Sequence, residues 1–310
     1  MNIVFLDAKT LGEDVDFSLL EKYGELTIHP LTAVADIVPR AIDADILIVN
    51  KVVLDKAVLT QLPKLKLICE AATGTDNIDI EFAKSKDISV NNVVGYSTDS
   101  VVQHTFTMLF YFLNNLSYYQ EYTNSLGWTK SQTFSHYKSF SDIAGMKWGI
   151  IGLGNIGEKV ASIANNFGAE VQYFSTSGKN NNSNYNQVSL EELLTSSDII
   201  TIHAPLNNNT KNLISKTELA LCSKGCILLN LGRGGIINEE DMKTFIQEDL
   251  LNIGLDVLSS EPMPSDHCLV ELLDHKNLLI TPHIAWASIN SRKKLLEGIS
   301  LNISRFLTEK

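Results

Sequence analysis

Cysteine is scarce in this chain. Cys69, Cys222, Cys226 and Cys268 are scattered over 310 residues, and none forms a C-x-x-C pair. That spacing excludes a disulfide scaffold, and Cys69 and Cys226 sit in apolar runs where a reduced thiol acts as a small hydrophobe. Basic residues are also in deficit: 25 Lys and Arg face 36 Asp and Glu, a net charge of −11. The longest basic run is Arg292-Lys293-Lys294, too little to build a face for nucleic acid or anionic lipid. No apolar run approaches the roughly 20 residues that cross a bilayer. Met1 to Asp7 carries no basic leader segment and reads as a strand. Ligand spacing for zinc is missing too, since His267 beside Cys268 stands alone. No metal, nucleic acid or membrane is therefore expected, and a reducing, cytoplasmic setting is.

What is present is an ordinary core. Hydrophobic residues make up 44% of the chain and charged ones 20%, and the length suits two domains. The first hundred residues alternate apolar strand-like runs (2–6, 25–29, 45–49, 66–70 and 88–90) with helical patterns such as 31–41 and 79–85. That alternation predicts βαβ units and a parallel sheet. A long helix follows, capped by Ser97 or Thr98, with Val102, Phe106, Leu109, Leu113 and Leu116 at helical spacing. Residues 118–140 are rich in aromatics and read as irregular, and they are a candidate subunit interface as well as a candidate core segment. Six more strands are predicted at 148–151, 170–174, 198–202, 226–230, 252–257 and 277–281. A polar loop, 179–187, follows the second of them, and a last helix spans 289–307.

The most telling stretch is Gly152-Leu153-Gly154-Asn155-Ile156-Gly157. It is a G-x-G-x-x-G run between a strand pattern and a helix pattern, the context of a dinucleotide-binding turn. The first Gly permits a tight turn, the second a close approach of pyrophosphate, and the third close packing of helix on strand. The helix N-terminus then offers free N–H groups to the phosphates.

Ligands of open α/β sheets bind outside the carboxyl ends of the strands. Those ends carry His203-Ala204-Pro205, Asn230-Leu231-Gly232-Arg233, Asp256 with Glu261, and Thr281-Pro282-His283. An arginine, a carboxylate and a histidine thus converge beside the expected dinucleotide. His283 can donate or accept a proton near neutral pH. Glu261 can fix its tautomer and favour its protonated form. Arg233 can hold a carboxylate or polarise a carbonyl. His104, His203, His267 and His275 read as structural.

These residues carry a resemblance to the D-2-hydroxyacid dehydrogenases over essentially the whole chain. The matching segments are Ala72 to Asp79, Gly95 to His104, Gly152 to Gly157, Asn230 to Gly234, Leu255 to Pro262 and Thr281 to Trp286. Gln103-His104 and Ala285-Trp286-Ala287 favour the glycerate dehydrogenase, or hydroxypyruvate reductase, branch. The resemblance implies two doubly wound parallel-sheet lobes: a discontinuous flavodoxin-like substrate lobe (1–98 with 287–310) and a Rossmann dinucleotide-binding lobe (99–286). It implies catalytic Arg233, Glu261 and His283, with Thr73, Gly74 and Thr75 holding the substrate carboxylate together with Arg233 and His283.

The resemblance further implies NAD or NADP held by Gly152, Gly154, Asn155, Ile156, Gly157, Ser175, Thr176, Lys179, His203, Ala204, Pro205, Thr210, Leu231, Gly232, Arg233, Asp256 and His283, and a homodimer. The expected reaction is reduction of hydroxypyruvate or glyoxylate to D-glycerate or glycolate. A D-lactate-type enzyme and a nucleotide-sensing, corepressor-like protein are the alternatives. Lys51 reads as a solvated loop residue or a substrate contact. One departure stands out: Ser175 occupies the position where an acid usually binds the ribose 2′-OH. Without that carboxylate, and with Lys179 nearby, NADPH is expected to be tolerated.

Overall fold

Short, largely apolar strands such as Ile46–Val49, Leu67–Glu70, Ile199–Ile202 and Ile227–Asn230 are buried along their full length. Strands of that kind suit parallel sheets covered on both faces. The computed structural model, which describes residues 1–133, 138–180 and 182–308, contains two such sheets. The chain divides into two compact units, Met1–Ser97 with Trp286–Lys310, and Thr98–Ala285.

In the first unit the strands are β1 (Asn2–Phe5), β2 (Glu25–Ile28), β3 (Ile46–Val49), β4 (Leu67–Glu70) and β5 (Ser89–Asn91). They pair in parallel in the order β2-β1-β3-β4-β5. One face is covered by a core that includes Ile3, Phe5, Ile48 and Cys69 together with Leu295, Ile299 and Ile303 of the helix Ile289–Thr308. The other face buries Val4, Leu47, Val49 and Ile68.

In the second unit the strands are β6 (Lys147–Ile151), β7 (Glu170–Phe174), β8 (Asn186–Gln187), β9 (Ile199–Ile202), β10 (Ile227–Asn230), β11 (Asn252–Leu255) and β12 (Leu278–Ile280). Their order is β12-β11-β10-β9-β6-β7-β8, parallel throughout. The order reverses at β6 and β9, so the loops after these two strands flank the switch point where such sheets bind ligands.

Three expectations need correction. The long helix does not carry Leu116: it spans Thr98–Leu113 and stops before Asn115, whose φ of 51° is left-handed. A separate helix, Leu116–Asn124, then occupies the start of the segment read as irregular. None of its residues is buried, so it has no apolar stripe from which a period could be read. Residues 134–137 of the same segment lie outside the described residues. The polar loop 179–187 likewise ends in β8, an edge strand that pairs with Gln172 and Tyr173 of β7.

Candidate active site

The glycine-rich turn leaves β6 through Gly152, whose φ is +92°. A side chain there would meet the Ala204 backbone at 3.0 Å. Gly157 lies in the first turn of the helix Asn155–Asn166, and a Cβ on it would come within 2.2 Å of the Gly152 carbonyl oxygen. These two glycines let helix and turn pack together. Gly154 differs: a Cβ there would meet no protein atom within 4 Å. Its freedom serves open space at the helix N-terminus, where a pyrophosphate fits. Asn155 and Ile156 follow as the first two residues of that helix.

Ser175 directly follows β7 and is buried, and its hydroxyl has no hydrogen-bond partner among the described residues. Thr176 is half-buried and Lys179 exposed. The loop is tied to the glycine-rich turn by Asn180, whose amide donates to the Leu153 carbonyl at 3.0 Å. Asn182 adds a 2.9 Å bond from its amide to Glu158. The sequence reading missed Asn180, since a polar run hides which of its asparagines turns inward.

At the end of β9, both ring nitrogens of His203 are covered and without partners among the described residues. Burial pushes its pKa down to about 3, so the ring is neutral at physiological pH. Ala204 is buried and Pro205 exposed. Thr210 is fully buried, and its hydroxyl donates to Pro205 O at 2.7 Å and accepts from Asn207 N at 2.8 Å. It supports this loop from within.

β10 ends at the buried Asn230. Its side chain accepts from Gly232 N at 3.0 Å and donates to Arg233 O at 2.9 Å, which shapes the turn that presents Arg233. Leu231 is buried beneath it, and a Cβ on Gly232 would lie 2.7 Å from Ala204 O. The Arg233 guanidinium donates to Gly232 O at 3.0 Å.

Asp256, buried at the end of β11, gathers the loop after β12. It accepts from the Thr281 hydroxyl at 2.6 Å and from the Ile284 and Ala285 N–H groups at 3.0 Å each. His104 reaches the same cluster, 3.0 Å from Thr281. Between these anchors His283 takes a φ of 53°, a conformation rare outside glycine. Its Nδ1 lies 2.6 Å from Glu261 Oε2, while Glu261 Oε1 accepts from Leu258 N at 2.9 Å. A carboxylate on Nδ1 fixes that nitrogen as the donor and leaves Nε2 as the working atom.

In the first unit, Thr73, Gly74 and Thr75 follow β4, and the Thr73 hydroxyl donates to Val93 O at 3.0 Å. The ends of β1, β3 and β4 meet in a buried acidic cluster that the sequence did not announce. Asp7 accepts from the N–H groups of Asn50, Lys51 and Val52. Glu70, fully buried, accepts from the Asn77 amide at 3.1 Å and is pushed up to about 8 by burial. The Lys51 side chain is exposed.

Residues 106–285 match the model of the "D-isomer specific 2-hydroxyacid dehydrogenase, NAD binding domain" family. The chain belongs to that family. It is an oxidoreductase of 2-hydroxy acids that uses a nicotinamide dinucleotide. It is 34% identical to a glycerate dehydrogenase of Methylorubrum extorquens, over 99% of this chain and 96% of the relative. It is 33% identical to a hydroxypyruvate reductase of Blautia hydrogenotrophica, over 99% and 97%. Among solved structures, an acyclic imino acid reductase in complex with NADPH and D-Arg superposes with a TM-score of 0.88 at 27% identity, covering 100% of this chain and 98% of that one. The family's dinucleotide fits the residues present: Gly154 faces open space, and the orphaned Ser175 hydroxyl and His203 nitrogens are buried polar atoms in want of partners.

Proposed function

We propose that the protein reduces a small 2-keto acid, hydroxypyruvate or glyoxylate, to the D-2-hydroxy acid. The observation that carries this reading is the 2.6 Å contact between Glu261 and His283 Nδ1, made at the strand ends that also carry Arg233. When bound, the nicotinamide supplies the hydride. Gly152 to Gly157 hold the pyrophosphate, and Ser175, Thr176 and the loop to Lys179 hold the adenosine ribose. His203, Ala204 and Pro205 line that side, Leu231, Gly232 and Asp256 back the nicotinamide, and Thr210 braces the loop.

Arg233 holds the substrate carboxylate and polarises the carbonyl. His283 Nε2 donates the proton that turns the carbonyl oxygen into a hydroxyl, and takes it back in the reverse direction. Glu261 stabilises the charged imidazole and holds it in one tautomer. Amides of Thr73, Gly74 and Thr75 in the substrate lobe grip the same carboxylate, as the resemblance implies. The glycerate dehydrogenase and hydroxypyruvate reductase relatives support a substrate with three carbons and a terminal hydroxyl.

A kinetic panel of glyoxylate, hydroxypyruvate, pyruvate and phenylpyruvate with NADH and NADPH tests the substrate class. His283→Ala is expected to abolish turnover and to leave NADH binding within about twofold, since it removes proton transfer and not the cradle. An unchanged turnover number sinks the reading. NADPH is expected within about tenfold of NADH in kcat/KM, because no carboxylate meets a 2′-phosphate at Ser175; a much larger NADH preference refutes that part.

We also read the protein as a cytoplasmic homodimer. Leu116, Leu126, Trp128 and Phe140 are each more than half exposed, an apolar surface suited to a second copy. Light scattering at micromolar concentration checks the dimer, and a monomer there refutes it.

A further inference from the structure

A second buried acid–base pair lies behind the proposed catalytic one. Glu239, the first residue of the helix Glu239–Gln247, and His267, in the segment between β11 and β12, make a 2.9 Å contact between Glu239 Oε2 and His267 Nε2. Both side chains are more than nine-tenths buried. The Leu269 N–H donates to His267 Nδ1 at 3.3 Å. That fixes the ring as the tautomer whose Nε2–H donates to Glu239. The rest of the Glu239 carboxylate is spent on one residue: it accepts the Ser259 N–H at 2.6 Å and the Ser259 hydroxyl at 2.6 Å.

Ser259 adjoins Leu258, whose N–H holds Glu261 Oε1 at 2.9 Å. Two successive backbone N–H groups therefore serve two carboxylates, Glu261 toward His283 and Glu239 toward the interior. The same turn meets the Arg233 loop, where a Cβ on Gly234 would come within 1.9 Å of Leu258 O. A shift of the 258–259 turn would move Arg233 and Glu261 together. The other titratable groups about Glu239 are Glu240, Lys243 and Cys268, whose thiol is pushed up to about 11, first by burial and then by the two glutamates.

We propose that Glu239 and His267 are positioning residues that set the orientation of Glu261, and through it the protonation of His283. Neither touches the reacting atoms. This rests on the function proposed above, so its test needs a readout that is independent of turnover. The probe is NMR titration of the His283 imidazole, assigned by difference from His283→Ala, in the full-length protein.

In Glu239→Ala the His283 midpoint is expected to fall, because a misdirected Glu261 loses its contact with Nδ1. kcat is expected to fall by roughly ten- to a hundredfold, with NADH affinity kept within about twofold and the high-pH limb of the reduction rate moved to lower pH. Glu239→Gln keeps an acceptor for the Ser259 N–H and should restore most of both. Ser259→Ala is the milder variant should Glu239→Ala fail to fold. It removes one hydrogen bond, and the midpoint should move the same way by a smaller amount.

An unmoved His283 midpoint in folded Glu239→Ala overturns the proposal, as does activity lost only in proportion to NADH binding. In the Ser259→Ala fallback, an unmoved midpoint counts equally against it. A wild type that turns over none of the keto acids, with a His283 midpoint that still moves in Glu239→Ala, would overturn the functional reading and uphold this one.

Discussion

Replacing Glu70 by Gln should stabilise the protein, and more so as pH rises. Glu70 is fully buried at the end of β4, one oxygen accepts from Asn77 at 3.1 Å, and the other has no partner among the described residues. Burial is the main cause that lifts its pKa from 4.5 to about 8, and nearby Asp7 and Asp76 add to it. In the window from about 4.5 to about 8 the native state holds a proton that the unfolded chain releases. Stability therefore falls as pH rises through that window, and the full penalty stands above about 8. The gap is worth about 5 kcal/mol at about 1.4 kcal/mol per pH unit.

Relaxation and water entry reduce this, so we expect Glu70→Gln to gain about 2–4 kcal/mol over wild type at pH 9, and almost nothing at pH 4.5. The Gln carbonyl can keep the Asn77 bond, and Asp7 is present in both proteins. Urea unfolding at pH 4.5, 7 and 9 reads this as a difference in midpoint that grows to about 1–2 M. Parallel curves, with a difference that does not change with pH, would refute the argument.

Gly154→Ala should leave the melting temperature within about 1 °C, since a Cβ there meets no protein atom within 4 Å, but weaken NADH binding at least about tenfold. Gly157→Ala places a Cβ 2.2 Å from Gly152 O and should cost about 1–3 kcal/mol of stability as well as binding, by thermal unfolding and fluorescence titration. His203 is neutral in the folded state, with a pKa of about 3, so the unfolded chain takes up its proton first as pH falls below about 6.5 and stability drops through that range. His203→Phe should accordingly lose about 1–2 kcal/mol less than wild type between pH 7 and 5; equal losses in chemical denaturation would count against a buried neutral ring.

The central parallel strands were legible because each is a short, largely apolar run buried on both faces, and the glycine-rich turn because its three glycines answer three separate steric demands. Arg233, Glu261 and His283 were legible because polar residues at successive strand ends must gather on one edge of a parallel sheet. The helix Leu116–Asn124 was not, since it buries none of its residues and so imprints no period. Nor was Asn180, one polar residue in a run of them until the fold turns its amide toward Leu153.

The sequence by itself determined the family, the two parallel sheets and the placement of Arg233, Glu261 and His283 after the carboxyl ends of strands, because those depend on composition, spacing and strand order. Only the tertiary structure decided which polar groups spend their hydrogen bonds inside the protein. It turned Thr210 and Asp256 inward as loop anchors, left Ser175 and His203 without partners among the described residues, and buried Glu70 where its charge is costly. Such outcomes depend on which backbone N–H groups and side chains meet across long sequence separations, and on how much water each meeting excludes. Neither quantity is carried by a residue's identity or by its neighbours in the chain.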